Sequence, residues 1–269
     1  MAAKPTCIRA GFTFALVWFF ILLEMVFLAP AFSQACRSDP GWQSFERQVR
    51  DGEISFPEGK KAIAVWAERL EREFPEAHSE VKTFFPLMGY SLEDVGGKNG
   101  NGYKPEGYRF LDGNRHQGHP AQDIFVRDRD QDGIDDLTGK PVQVLALAEG
   151  VILSTFSGWE RTNLFCGLRG GNYVWVYHPG LKALSYYAHL GKVFVHPGDK
   201  VRGGEALATL GRSGKNASLL CSPTHLHLMI LSSETMEPLN PFPFLKSSRV
   251  PRSLQRRLLS DLHASARFK

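Results

Sequence analysis

The segment Thr224–Ile230, THLHLMI, places His225 and His227 one residue apart within an apolar run. In an extended strand, the side chains at positions i and i+2 point to the same face of the sheet. The two imidazoles are therefore expected on one side of a β-sheet, an arrangement that suits a shared ligand better than exposure to solvent. The rest of the chain decides whether other ligating side chains join them.

Short apolar runs separated by turn residues dominate the chain from about residue 119 onward, which is typical of β-strands. No long helical segment lies between these runs, so a parallel sheet with crossover helices is not expected. The predicted fold class is mostly β: an antiparallel β-sheet folded on itself, with an N-terminal helical extension and a short C-terminal helix. The predicted strands are 122–126, 142–156, 172–179, 184–190, 206–212 and 225–231.

The residues before this region are predicted to be helical. Segments 42–49 and 57–74 have helical character. In the second segment, four apolar residues share helical spacing and form a predicted packing face: Ile63, Trp66, Leu70 and Phe74. The glycine- and asparagine-rich segment 96–107 predicts a loop and a domain boundary.

The N-terminus has the pattern of an export signal. Lys4 and Arg9 precede an apolar stretch, and the segment 33–35 supplies small residues where a signal peptidase cuts. Glu24 interrupts the apolar stretch, and a carboxylate inside a bilayer is costly. We predict a cleaved signal peptide at residues 1–35, with an uncleaved membrane anchor as the alternative. The mature chain is then exported to the periplasm or cell envelope.

With 269 residues, the chain is long enough for one sizeable domain plus extensions. The predicted organisation is a signal peptide at 1–35, a helical extension and linker at 36–107, a β-sheet domain at 108–245 and a basic tail at 246–269. The tail carries seven lysines and arginines and one aspartate, so it could contact an anionic envelope surface. A solvated helix explains the same composition. We expect a monomer.

In an exported chain, the cysteines are candidates for disulfide bonds. Removal of the signal leaves Cys36, Cys166 and Cys221. In an oxidising compartment, Cys166 and Cys221 could form a disulfide that joins two loops and leaves Cys36 free. The sequence does not determine this pairing.

Two further histidines and a carboxylate could complete a metal site with the histidine pair. His119 and Asp123 are four residues apart, so along an extended chain both reach one face. His189 lies near the end of a predicted strand. Catalytic zinc typically takes three protein ligands from histidine and carboxylate and keeps a fourth position for water. Spacing alone leaves open which histidine of the pair binds the metal and which orients the water or accepts its proton.

In their order along the chain, these motifs resemble those of the lysostaphin-type (LytM-like) zinc metallo-endopeptidases, which cut peptide bonds in peptidoglycan. The resemblance covers roughly residues 115–242. The segments that carry it are HPAQD (119–123), GKPVQVLALAEGVI (139–152), YYAHL (186–190), VHPGDKVRGGEALATLGRSG (195–214) and THLHL (224–228).

The resemblance implies a zinc-dependent endopeptidase acting on peptidoglycan cross-links or stem peptides. It implies that His119, Asp123 and His227 bind Zn²⁺, and that His189 and His225 are the catalytic histidines. In the implied mechanism, a metal-bound water attacks the peptide carbonyl. His225 helps to take the proton of that water, and His189 stabilises the developing oxyanion.

The chain departs from the family pattern at three places. The family usually has H-x-G-x-D, whereas Ala121 stands at the glycine position here, and no tyrosine is evident shortly before the first ligand. The segment before the histidine pair is lengthened by residues 215–223. These departures concern substrate fit more than metal binding. The alternative function is that of a catalytically silent envelope regulator, but every ligand and both catalytic histidines are retained.

An acidic loop follows the first ligand pair. Asp128, Asp130 and Asp132 alternate as in the start of a calcium loop, and Asp136 is also available. The twelfth position, however, is Gly139 in place of a bidentate glutamate. Ca²⁺ is therefore a second candidate cofactor, with a solvated acidic turn as the alternative. No nucleic-acid-binding module is recognisable in the chain.

Overall fold

The computed structural model describes residues 41–75, 80–160, 162 and 167–249. The predicted signal peptide, Cys36, Cys166 and the tail beyond residue 249 lie outside the described residues. Within them are three α-helices: α1 (Trp42–Asp51), α2 (Phe56–Glu73) and α3 (Pro241–Lys246). All described residues belong to one compact unit that begins at Pro40. The boundary predicted between residues 107 and 108 falls inside this unit and stays a prediction.

Eleven strands occur in the described residues. They are β1 (Ala121–Phe125), β2 (Ile134–Asp135), β3 (Lys140–Pro141), β4 (Gln143–Leu145), β5 (Gly150–Phe156), β6 (Asn172–His178), β7 (Ala183–Val193), β8 (Lys200–Val201), β9 (Ala206–Leu210), β10 (His225–Ser232) and β11 (Pro238–Leu239).

The main sheet has the order β1-β10-β7-β6-β5-β8, and each neighbouring pair is antiparallel. Strand β9 pairs with both β7 and β4, so the sheet folds back over its own face. Strand β11 pairs antiparallel with β10. Strands β2 and β3 form a separate hairpin within the acidic loop. The prediction of a mostly antiparallel sheet folded on itself is confirmed.

Both faces of the sheet are buried. Along β6, Val174 and Val176 pack into one apolar cluster with β4 and β9, whereas Tyr173, Trp175 and Tyr177 pack into a second cluster. Successive side chains of a strand point to opposite faces, so this strand has no polar side. That explains its continuous apolar and aromatic sequence.

The N-terminal helices cover the second of these faces. Trp42 and Phe45 of α1 are buried against Phe110 and Trp175, with ring centroids 6.0–6.5 Å apart in the stacked, tilted and edge-on pairs they form. Ser55 caps the N-terminus of α2 and forms a capping box with Glu58. Its predicted packing face is confirmed, because four residues contact the same cluster: Ile63, Trp66, Leu70 and Phe74.

The segment 142–156, predicted as one strand, is two strands. Between them, the backbone of Ala146 pairs with the turn at 204–205, and the carbonyl of Leu147 accepts from the amide of Phe84. With these long-range partners between them, the two strands pair with different neighbours. Strand β4 pairs with β9, and β5 pairs with β6 and β8. The prediction of a continuous strand was wrong here.

The predicted short C-terminal helix is present as α3. It ends at Lys246, where the predicted tail begins. Asn240 caps it by accepting a hydrogen bond from the amide of Phe242. Among the described residues, no helix combines the length and apolar character that a bilayer crossing requires.

Candidate metal centre

The pairing of β1 with β10 places Asp123 directly opposite His227. His227 Nδ1 lies 3.1 Å from Asp123 Oδ1. His119 precedes β1, and its Nε2 lies 3.3 Å from both His227 Nδ1 and Asp123 Oδ1. One ligating atom from each of the three residues lies within 4.8 Å of the others. Two imidazole nitrogens and a carboxylate oxygen are a donor set that suits zinc.

A backbone carbonyl sets the orientation of the first histidine. His119 Nδ1 donates a hydrogen bond to the carbonyl of Gly102 at 2.9 Å. A carbonyl can only accept, so the neutral ring carries its proton on Nδ1 and leaves the Nε2 lone pair facing Asp123. Gly102 belongs to the loop predicted at 96–107, which lies along β1. Such partners hold a ligating imidazole in one tautomer and orientation.

The two remaining histidines lie beside this group and are held in the same way. His225 Nδ1 donates to the carbonyl of Pro223 at 2.7 Å, and its Nε2 lies 3.9 Å from Asp123 Oδ1. His189 Nδ1 donates to the carbonyl of Ser213 at 2.9 Å. The rings of His189 and His225 are 4.9 Å apart. In the neutral form of each ring, Nε2 is therefore the nitrogen that can accept a proton.

An irregularity in β7 positions His189. Its φ is +64°, in the left-handed region that a non-glycine residue seldom adopts. Its amide donates to Gly170, and its carbonyl accepts from Gly211. The register of β7 against β9 shifts between Leu190 and Val193. Backbone strain of this kind persists where the surrounding structure enforces it, often at functional sites.

The histidines and the carboxylate perturb one another's protonation. Burial alone would raise the pKa of Asp123, but the imidazoles of His119 and His227, which donate hydrogen bonds to the carboxylate when they are protonated, outweigh burial and hold the pKa well below its usual range. A second proton on His119, at Nε2, would be donated to the Asp123 carboxylate, and this stabilisation of the protonated ring raises the pKa of His119. Burial, together with the charges of the neighbouring histidines, lowers the pKa of His189 to about 3. At neutral pH the cluster thus combines a carboxylate with a neutral His189.

These residues line a groove of about 440 Å³. Its aromatic lining includes Tyr173, Trp175 and Tyr186, and helix α1 contributes Glu46 and Arg50. Sequence reasoning missed the contribution of α1, since the amphipathic pattern of that helix indicates packing and not a binding surface.

The lengthened segment before the histidine pair also reaches the groove. Asn216 and Ser222, one near each end of residues 215–223, line it. Cys221, in the same segment, is exposed. Its predicted partner Cys166 lies outside the described residues, so the disulfide stays a prediction.

The acidic loop contributes to the position of β10. Both oxygens of Asp128 accept hydrogen bonds from the backbone of its own loop, at Asp132 and Gly133. Asp128 also accepts from Thr224 Oγ1 at 2.6 Å, directly before His225. The loop is thereby tied to the start of the histidine strand.

The four acids predicted for calcium do not all come together. Ligating oxygens of Asp128, Asp130 and Asp136 lie within 4.8 Å of one another, whereas Asp132 is outside this group. The Asp132 carboxylate accepts from the amide of Ile134 instead. Because Asp128 is already held by three donors, the loop conformation is explained without a cation, and calcium is not supported.

Among solved structures, three similarities are of interest. Lysostaphin from Staphylococcus simulans is 25% identical over 55% of this chain and 50% of its own, with a TM-score of 0.35. A zinc-containing peptidase from Vibrio cholerae is 19% identical over 64% of this chain and 41% of its own, with a TM-score of 0.40. A putative glycyl-glycine endopeptidase LytM from Ruminococcus gnavus is 20% identical over 81% and 92%, with a TM-score of 0.41.

The present chain thus spans about half the length of the lysostaphin structure that it matches. With TM-scores below 0.5, we base no inference on these likenesses. A comparison with curated protein sequences gives no match.

The family model described as Peptidase family M23 matches residues 129–241. The matched segment contains His189, His225 and His227, whereas His119 and Asp123 lie a few residues before it. Residues 129–241 therefore show similarity to peptidase family M23.

Proposed function

We propose that this chain is an exported zinc-dependent endopeptidase that hydrolyses peptide bonds in peptidoglycan cross-links or stem peptides. The observation that carries the proposal is the meeting of two imidazole nitrogens and a carboxylate oxygen, from His119, Asp123 and His227, with two more histidines alongside. The match of residues 129–241 to a peptidase family supports the same reaction class.

The residues present fit a zinc ion. His119 offers Nε2, Asp123 offers Oδ1 and His227 offers Nδ1, and the Nδ1–H of His119 is already committed to a carbonyl. Three ligands from histidine and carboxylate leave one position open, which is the pattern of a catalytic site. When bound, zinc would polarise the scissile carbonyl and lower the pKa of a water molecule.

The two other histidines then handle protons. His225 accepts a proton at Nε2, because its Nδ1–H is donated to Pro223. His189 is likewise an acceptor at Nε2 while it is neutral. It can stabilise an oxyanion by donating a hydrogen bond only after it has gained a proton at that atom. The two rings are held alike, and we assign their roles as the family resemblance implies: His225 accepts the proton, and His189 stabilises the oxyanion once it is protonated.

The groove supplies the substrate contacts. An extended peptide can lie in the groove beside the partly buried Tyr186, with Tyr173 and Trp175 buried beneath the groove floor. Residues 215–223 form part of the rim through Asn216 and Ser222.

Digestion of purified peptidoglycan sacculi tests the proposal. The zinc content of the purified chain is measured, and the soluble products are separated as muropeptides. We expect new amino and carboxyl ends within the peptides, loss of activity with a chelator and recovery with added zinc. A chain that holds zinc but cuts no peptide bond would instead act as the silent regulator.

Export to the periplasm or cell envelope is a separate part of the proposal, supported by the pattern of residues 1–35. Cell fractionation with N-terminal sequencing of the mature chain tests it. A mature N-terminus near residue 36 is expected. An intact N-terminus in the membrane fraction would support the anchor instead.

A further inference from the structure

Besides histidines, four residues with carboxylate or guanidinium side chains line the groove, and three of them have ionisable partners within the protein. The Asp123 carboxylate lies 3.1 Å from His227 Nδ1 and 3.3 Å from His119 Nε2, within the metal-binding group. Glu46 is buried and accepts from Tyr173 Oη at 3.0 Å. Arg50 forms a two-point ion pair with Asp51, with nitrogen–oxygen distances of 2.9 and 3.0 Å. The fourth charged side chain is Arg169.

Arg169 is exposed and lines the groove. Its Nη1 donates to the carbonyl of Asn114 at 2.8 Å. Among residues 41–75, 80–160, 162 and 167–249, no carboxylate lies within 4.0 Å of its guanidinium. The neighbouring segment 161–166, RTNLFC, contains no acidic residue. A guanidinium has five N–H donors, and the contact with Asn114 uses only one of them, so Arg169 retains donors that meet no carboxylate within the described part of the chain.

The backbone connects Arg169 to the candidate catalytic histidines. The next residue, Gly170, accepts a hydrogen bond from the amide of His189 at 2.8 Å. The carbonyl of Arg169 itself accepts from the amide of Lys215, at the start of the lengthened segment. The guanidinium is thus attached to the part of the backbone that holds His189, at the edge of the groove.

Resting on the proposed function, we propose that Arg169 binds a carboxylate of the substrate peptide. Guanidinium and carboxylate form strong, two-point hydrogen bonds. The preferred substrate then carries a free carboxylate near the scissile bond, in contrast to an uncharged bridge peptide. That carboxylate is either the α-carboxylate at the end of a stem peptide or a side-chain carboxylate within it.

The test compares four cross-linked stem-peptide dimers: one with free carboxylates, one amidated only at the C-terminus, one amidated only on side chains and one amidated at both. Affinity is measured by fluorescence anisotropy with zinc-loaded full chain in the His225→Ala background. The variants are Arg169→Gln and Arg169→Lys. Arg202→Gln is the control, because Arg202 is an exposed arginine that does not line the groove. Circular dichroism and melting temperature verify that each variant folds.

We expect the free-carboxylate dimer to bind about tenfold more tightly than the doubly amidated one, the effect of one charge-assisted contact. Arg169→Gln abolishes this difference, Arg169→Lys retains part of it and Arg202→Gln retains all of it. The singly amidated dimers show whether the α-carboxylate or the side-chain carboxylate is bound. Added salt reduces the difference, because exposed charges are screened.

Equal affinity for free and amidated dimers overturns the inference. So does an equal loss for all four dimers in Arg169→Gln, which would mean that Arg169 only braces Asn114. Hydrolysis is followed separately with His225 present. Tighter binding of the free-carboxylate dimer without any hydrolysis supports the inference about Arg169 and refutes the endopeptidase. Hydrolysis with equal binding of free and amidated dimers supports the endopeptidase and refutes the inference about Arg169.

Discussion

Asp123 and His227 are direct partners across the antiparallel pair of β1 and β10, although they are 104 residues apart in the chain. The neighbouring pair of Ile124 and Leu226 is fully buried on the opposite face. If the pairing of one strand shifted by one residue, its apolar side chain, Ile124 or Leu226, would face the groove and its metal ligand would face the core. Burial of the apolar pair therefore specifies the register that brings the carboxylate to the imidazole.

The first prediction separates metal binding from proton transfer. His119→Ala removes one of three ligands, so the purified variant is expected to lose zinc together with activity. His225→Ala leaves the three ligands intact, so it is expected to retain zinc while turnover falls about 10²–10⁴-fold, the usual contribution of a general base. Metal analysis and sacculus digestion measure both quantities. Full activity of His225→Ala would refute its assignment as proton acceptor.

The second prediction concerns the backbone that carries the partner of His189. Gly171 has φ of +71°, and a Cβ there would lie 2.3 Å from the carbonyl carbon of Ser213, whose oxygen accepts from His189. Gly171→Ala is expected to lower the free energy of unfolding by about 3 kcal/mol or more, because strain and overlap add. Denaturant unfolding measures this.

Gly133 provides the matched control for this substitution. It has φ of +85°, but no atom lies within 4 Å of a Cβ placed there. Gly133→Ala is expected to cost only the conformational penalty, about 1–2 kcal/mol. Equal costs at the two positions would show that the contact with Ser213 is unimportant.

The third prediction tests whether α1 is an integral wall of the groove. Trp42 is 3% exposed and packs on Trp175. Trp42→Ala is expected to cost about 3–5 kcal/mol of unfolding free energy and to weaken substrate binding, because Glu46 and Arg50 are carried by the same helix. Val65→Ala on α2 is the control, since Val65 is 63% exposed. It should change stability by less than about 0.5 kcal/mol. Loss of stability with unchanged substrate affinity would contradict the assignment of α1 to the groove.

The fourth prediction uses a buried histidine outside the site. His178 lies between the carbonyl of Glu149 and Ser185 Oγ, and burial lowers its pKa to about 4. Protonation is thus easier in the unfolded chain, where the pKa is about 6.5. The stabilisation is complete above pH 6.5 and is lost as the pH falls towards 4. The expected loss at pH 4 is about 3 kcal/mol.

Denaturant unfolding at several pH values checks this, with His178→Gln as the comparison. The variant is expected to be less stable at pH 7 and to have a smaller decrease in stability between pH 6.5 and 4. A variant whose pH dependence is identical to that of the native chain would refute the role of His178.

Most of the strands could be predicted from the sequence because their signals are local. In β10, alternating positions assign His225 and His227 to one face and Leu226 and Leu228 to the other, and the structure agrees. The break between β4 and β5 was missed. Its cause is the pairing of Ala146 with residues 204–205, and backbone pairing of this kind leaves no mark on the identity of the residues involved.

The sequence by itself determined which residue types were available for the chemistry and which face of each strand they occupy. Only the tertiary structure decided that Gly102, Pro223 and Ser213 hold the three imidazoles, and that α1 and Arg169 line the groove. Strand periodicity is a property of neighbouring residues, so it can be read along the chain. A carbonyl that accepts from a histidine can belong to any residue, and its position depends on packing between segments far apart in sequence.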